Sequence, residues 1–65
     1  MSEVNDLRIT GSEQDLHEWE RFFKEMDARG LISLYEISKN YPNRGASDLA
    51  RKYFKLKINP QNFPW

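Results

Sequence analysis
The stretch Leu31–Ile58, LISLYEISKNYPNRGASDLARKYFKLKI, decides how this 65-residue chain folds. It reads as two strands joined by a loop of turn formers. In the first part Leu31, Tyr35 and Ile37 alternate with Leu34, Glu36 and Ser38, and a period of two marks a strand. Asn40-Tyr41-Pro42-Asn43-Arg44-Gly45 follows. There Pro42 presets φ for a turn, Asn43 tolerates unusual backbone angles and Gly45 supplies φ > 0. In the second strand Phe54, Leu56 and Ile58 lie on one side, and Arg51, Tyr53, Lys55 and Lys57 on the other. That is the pattern of an antiparallel sheet with one dry and one wet face. A one-residue slip would carry the lysines into the core, so the register is well specified.

The remainder supplies what covers the dry face. Residues 1–5 are expected to be a disordered polar start, residues 6–58 the single domain, and residues 59–65 a tail rich in proline and aromatics. Asp6–Thr10 reads as a short strand with Leu7 and Ile9 inward. Gly11 ends it, and Ser12 is a good N-cap, with Asp15 three residues on and Glu13 favouring a helix start. The helix is expected over about residues 13–28. Leu16, Trp19, Phe23 and Met26 recur at helical spacing, widened by Phe22, and predict one buried face. Glu18–Arg21 and Glu20–Lys24 are spaced as helical pairs. Arg29 and Gly30 form a natural stop, a cation at the negative end of the helix dipole and then a left-handed residue. The order is β-α-β-β. It predicts a two-layer α+β fold, one helix on a three-stranded sheet, with the third strand central and antiparallel to both neighbours. Trp19, Phe23, Ile37, Phe54 and Leu56 are the predicted core.

A domain of this size buries only about 60% of its unfolded surface, so its stability is expected to be roughly 5 kcal/mol. The chain has no cysteine, which excludes thiolate chemistry and gives no argument for secretion. No apolar run suits a signal peptide or a membrane span, and a soluble, cytoplasmic protein without membrane contact is expected. Ten Lys/Arg balance ten Asp/Glu, but unevenly. Residues 1–30 hold four basic and eight acidic side chains, net −4, and residues 31–65 hold six and two, net +4. The split implies either a basic face or complementary halves packed together.

The turn Ser38-Lys39-Asn40-Tyr41-Pro42-Asn43-Arg44-Gly45 resembles that of an uncharacterised family of small proteins from Gram-positive bacteria and their phages. Those proteins are similar in layout, with a short strand, one amphipathic helix and a hairpin around S-K-x-Y-P-N-R-G. The resemblance covers roughly residues 7–58. It implies the same fold and an accessory role in a phage or mobile element, but no known activity. The tail from Asn59 to Trp65 departs from it.

Catalytic readings find little support. His17, on the helix among acidic residues, has no nucleophile or orienting partner at a recognisable spacing. Glu13, Asp15, Glu18 and Glu20 spread around the helix rather than forming an oxygen-ligand loop. Gly11 and Gly45 are isolated, so no phosphate loop is present. No enzyme, cofactor or metal site is expected.

Binding is the better reading, and a protein partner comes first. The hairpin loop offers Lys39, Tyr41, Asn43, Arg44 and Arg51, an aromatic and a planar cation on a preset turn. Backbone N–H groups near Gly45, with Ser47, could also hold an anion. The bland alternative is that Tyr41 caps the core and Arg44 is solvated. The wet sheet face offers Arg8, Arg51, Tyr53, Lys55 and Lys57, cations around a ring as in single-strand nucleic-acid platforms. Against that, lysines also guard sheets, and Glu36 can pair with Lys55 or Arg51. Phe63-Pro64-Trp65 either packs back on the domain or docks elsewhere. A monomer or a weak homodimer, held by the tail or a sheet edge, is expected.

Overall fold
The computed structural model describes residues 3–42 and 48–64. In chain order its elements are β1 (Asn5–Gly11), α1 (Glu13–Ala28), β2 (Ile32–Ile37), β3 (Tyr41–Pro42) and β4 (Ala50–Ile58), followed by a 3-10 turn at Pro60–Asn62. One helix packs on an antiparallel sheet, a small α+β fold. The last strand is central, as the β-α-β-β order predicts. β1 pairs along one side of β4 from Asn5 opposite Leu56 to Gly11 opposite Ala50. β2 and β3 share the other side, β2 against residues 54–58 and β3 against Ala50 and Arg51.

The helix occupies the span that its periodicity predicts. Ser12 Oγ accepts a hydrogen bond from the Asp15 N–H at 3.1 Å, satisfying one of the orphan donors of the first turn. At the other end Gly30 takes φ 77°. Leu31 N donates to Met26 O at 3.0 Å and Gly30 N to Asp27 O at 2.9 Å, the paired bonds of a Schellman stop. The Gly30 carbonyl then accepts from Asn62 Nδ2 at 2.7 Å and Asn59 Nδ2 at 3.3 Å, which ties residues 59–62 to the helix end.

Leu16 and Phe23 carry the buried line of α1. Phe23 meets Phe54 of β4 edge-on, with centroids 4.9 Å apart. Leu56 completes the buried cluster, and Leu7, Ile9, Ile32, Leu34 and Ile37 pack around it. Burying one such side chain stabilises by about 1.5–3 kcal/mol.

Four predictions differ from this structure. Trp19 is not buried: it is 44% exposed, beside Phe22 at 50%. At 3.6 residues per turn it falls about 60° from Leu16 and about 40° from Phe23, to one side of their line, and the flank opposite it, with Glu20, is the one held down. Ile37 is half-buried rather than buried. In β2 the strict alternation fails at a bulge between Leu34 and Glu36, so Leu34 and Ile37 both reach the core and Tyr35 is left 56% exposed. Finally, Tyr41 and Pro42 form β3 rather than part of a turn, so the sheet has four strands instead of the expected three. Proline is tolerated there because β3 lies on the sheet's edge, where a missing N–H breaks no second ladder.

Candidate binding face
The helix-free face of the sheet is built on Arg51, Tyr53, Lys55 and Lys57 of β4. Directly opposite residues on paired strands share a face. Arg51 therefore stands between Thr10 and Tyr41, Tyr53 beside Arg8, Lys55 between Asp6 and Glu36, and Lys57 beside Ser33.

The chain between β2 and β3 is shaped by side chains as much as by backbone. Ser38 N donates to Tyr53 O at 2.9 Å, and Ser38 Oγ accepts from Tyr53 N at 2.9 Å. The same hydroxyl donates to Lys39 O at 2.7 Å. On the helix side Asn40 Oδ1 accepts from Lys52 Nζ at 3.0 Å, and Lys52 Nζ also pairs with Glu20 Oε1 at 3.2 Å. Lys52 is thus a buried lysine, 8% exposed, on the same side of β4 as Phe54. Hydrogen bonds from Lys24 and, to a smaller extent, Lys52 hold the Glu20 carboxyl below its ordinary pKa against the opposing effect of burial. These contacts clamp the residues on either side of Asn40, and so place Lys39 and Tyr41.

The outcome is an aromatic–cation cluster. The Tyr41 and Tyr53 rings meet at 72° with centroids 5.9 Å apart. Lys39 Nζ lies 5.4 Å and Arg51 Cζ 5.7 Å from the Tyr41 centroid, within cation–π range. Arg51 Nε donates to Tyr53 Oη at 2.9 Å, and Arg51 Nη1 donates to Pro42 O at 2.9 Å. The hydrogen bond from Arg51, then its charge and the proximity of Arg8, lower the Tyr53 hydroxyl pKa, while desolvation acts the other way. Among the described residues no carboxylate forms an ion pair with Arg8, Lys39, Arg51 or Lys57, whereas Lys55 lies 3.9 Å from Asp6 and 3.8 Å from Glu36. An open cleft of about 350 Å³ runs between Tyr41, Tyr53, Glu36 and Lys55.

The two candidate sets therefore meet in one place. Lys39, Tyr41 and Arg51 of the loop set join Arg8, Arg51 and Tyr53 of the sheet set. Lys55 is tied to acidic neighbours, and Lys57 stands at the far end of the strand. Asn43 and Arg44, with Gly45, Ser47 and Trp65, lie outside the described residues. Sequence reading missed Lys52 and the approach of Tyr41 to Tyr53. Extending the alternation of Phe54 and Leu56 back by one step would have placed Lys52 on the helix side.

His17 is exposed, and among the described residues no group of His, Cys, Asp or Glu could hold a metal ion. No described helix is long and apolar enough to cross a membrane. In comparisons with known proteins no family model matches the chain, and neither the curated proteins nor the solved structures give a significant match.

Proposed function
We propose that this chain is a non-catalytic protein-interaction domain that docks an acidic segment of its partner on the Lys39–Tyr41–Arg51–Tyr53 cluster. One observation carries the reading: Arg51 is held at once by Tyr53 Oη, the Pro42 carbonyl and the Tyr41 ring. An arginine and two tyrosines already in place lose little freedom on binding, and these residue types dominate contact energetics. Arg8, Lys39 and Arg51 lack carboxylate partners among the described residues, unlike Lys55, and this favours an acidic ligand. An accessory role in a phage or mobile element rests on the likeness of the turn alone.

Single-stranded nucleic acid is the second reading, favoured by Arg8 beside Tyr53 and by Lys55 and Lys57 further along the same face. It is the weaker of the two, because the Tyr41 ring is already engaged by two cations and Tyr53, and base stacking needs a free ring face.

Titration followed by NMR separates them. A poly-glutamate peptide should shift the amides of Lys39, Tyr41, Arg51 and Tyr53, and Lys39→Glu should abolish the shifts without unfolding the domain. An oligothymidylate should leave the spectrum unchanged. If it instead binds with a log–log salt slope of roughly −0.7 per phosphate, and Lys55→Glu with Lys57→Glu removes that binding, the nucleic-acid reading replaces the first. Response to neither ligand refutes both.

A further inference from the structure
The two edges of the sheet are built differently. The β2–β3 edge is interrupted by the bulge at Tyr35, by residues 38–40 and by Pro42. Such features block the addition of another strand. The β1 edge has none of them. Its seven residues, Asn5–Gly11, pair with β4 without a register shift, and no described strand lies on the other side. Among the described residues nothing forms a ladder with their outward backbone groups.

This edge is also where the helix layer is incomplete. Asp27 Oδ1 accepts from Leu34 N at 3.0 Å, and Glu20 pairs with Lys52, which in turn holds Asn40. That flank of α1 is thus pinned on the β2–β3 side. By helical spacing Trp19 and Phe22 fall on the opposite flank of α1, and both are largely exposed. In β1 itself Leu7 and Ile9, which pack on the Phe23–Phe54–Leu56 cluster, are only half-buried.

We propose that the β1 edge is a self-association surface, on which a second copy adds its own β1 antiparallel with Leu7 opposite Leu7 and Asp6 opposite Arg8. The register follows from symmetry. A two-fold axis normal to the sheet keeps both helices on one side, so opposed residues must share a face. Centring on Asp6 sets Asp6 against Asp6, and centring on Arg8 sets Arg8 against Arg8, both repulsive. Only the Leu7 centre brings opposite charges together, as two Asp6–Arg8 pairs on the wet face. On the dry face it abuts the two Leu7 side chains and turns the Trp19–Phe22 flanks of the two helices toward each other. The joined sheet leaves the Lys39–Tyr41–Arg51–Tyr53 cluster open in both copies, and Arg8, beside Tyr53, is the one residue the two surfaces share.

Sedimentation equilibrium of the full chain tests it. The wild type should reach twice the 7.8 kDa monomer mass as concentration rises. Asp6→Arg and Arg8→Asp should each return it to monomer by placing like charges across the axis. The swapped pair Asp6→Arg/Arg8→Asp should recover the dimer, with circular dichroism confirming that all three variants are folded. In the wild type, hydrogen exchange should show outward β1 amides protected in concentrated but not in dilute solution. A wild type that stays monomeric, folded single variants that stay dimeric, a folded swapped pair that stays monomeric, or β1 amides with no concentration-dependent protection would each overturn the proposal.

Discussion

Replacing Lys52 or its partner Glu20 perturbs the packing and the candidate face through the same contacts. The Lys52 side chain is 10% exposed and that of Glu20 23%, with 3.2 Å between Nζ and Oε1. An exposed pair is worth about 0.2–1 kcal/mol, whereas breaking a fully buried one costs about 3–5 kcal/mol. This pair lies between those limits, with one member nearly enclosed and the other in reach of water. Lys52→Met keeps the stem and most of the volume, and Glu20 retains Lys24 at 2.9 Å. Its cost should be about 1 kcal/mol. Glu20→Gln leaves an enclosed ammonium facing only amide oxygens, and should cost about 2 kcal/mol. The double variant should cost no more than Glu20→Gln alone, because its partners share one interaction. Urea unfolding of the four proteins gives these differences. Because the folded-state pKa of Glu20 is depressed, its contribution is complete above the ordinary carboxylate value and is lost as pH falls through the folded value. The gap between wild type and Glu20→Gln should therefore close on acidification. Lys52→Met should also shift the Tyr41 and Tyr53 resonances, since Asn40 loses its anchor. If both single variants unfold at the wild-type urea concentration, Lys52 is solvated and its place under the helix is wrong.

Two further variants test the core and the helix stop. Phe54→Ala should cost about 3–5 kcal/mol, close to the whole stability expected of a domain this small, and leave the chain largely unfolded by circular dichroism; a cooperative melt near the wild-type temperature would contradict its central position opposite Leu7 and Ile37. Gly30→Ala should lower stability by about 1 kcal/mol, because φ 77° disfavours a side chain while the added Cβ meets Asn62 Nδ2 at an unstrained 3.5 Å; a gain in stability would show that the turn adopts another conformation.

Much of the architecture was legible in the order of residues, and the reason is periodicity. The helix from Glu13 to Ala28, its Ser12 cap and its Gly30 stop depend on neighbours within one turn, which the chain displays directly. The central position of the last strand followed from the β-α-β-β order, and its dry and wet faces from its clean alternation. The wet-face residues Arg51, Tyr53, Lys55 and Lys57 followed from the same pattern.

What the sequence left undecided depends on contacts between residues far apart in the chain. Trp19 and Glu20 are adjacent on the helix, and periodicity alone favours burying the tryptophan. The structure holds down Glu20 instead, because Lys52 and Asn40, both more than a turn and a strand away, wait beneath that flank. The bulge at Tyr35 leaves no mark in local composition; it arises from the pairing of β2 with β4. The meeting of Tyr41 with Tyr53, which fuses two candidate sites into one, needed the break at Ser38–Asn40 and the register of β3. The order of residues determined which elements form and which faces are dry. Only the tertiary structure decided which side chains share a surface, because a register and a bulge set those distances and neither is local.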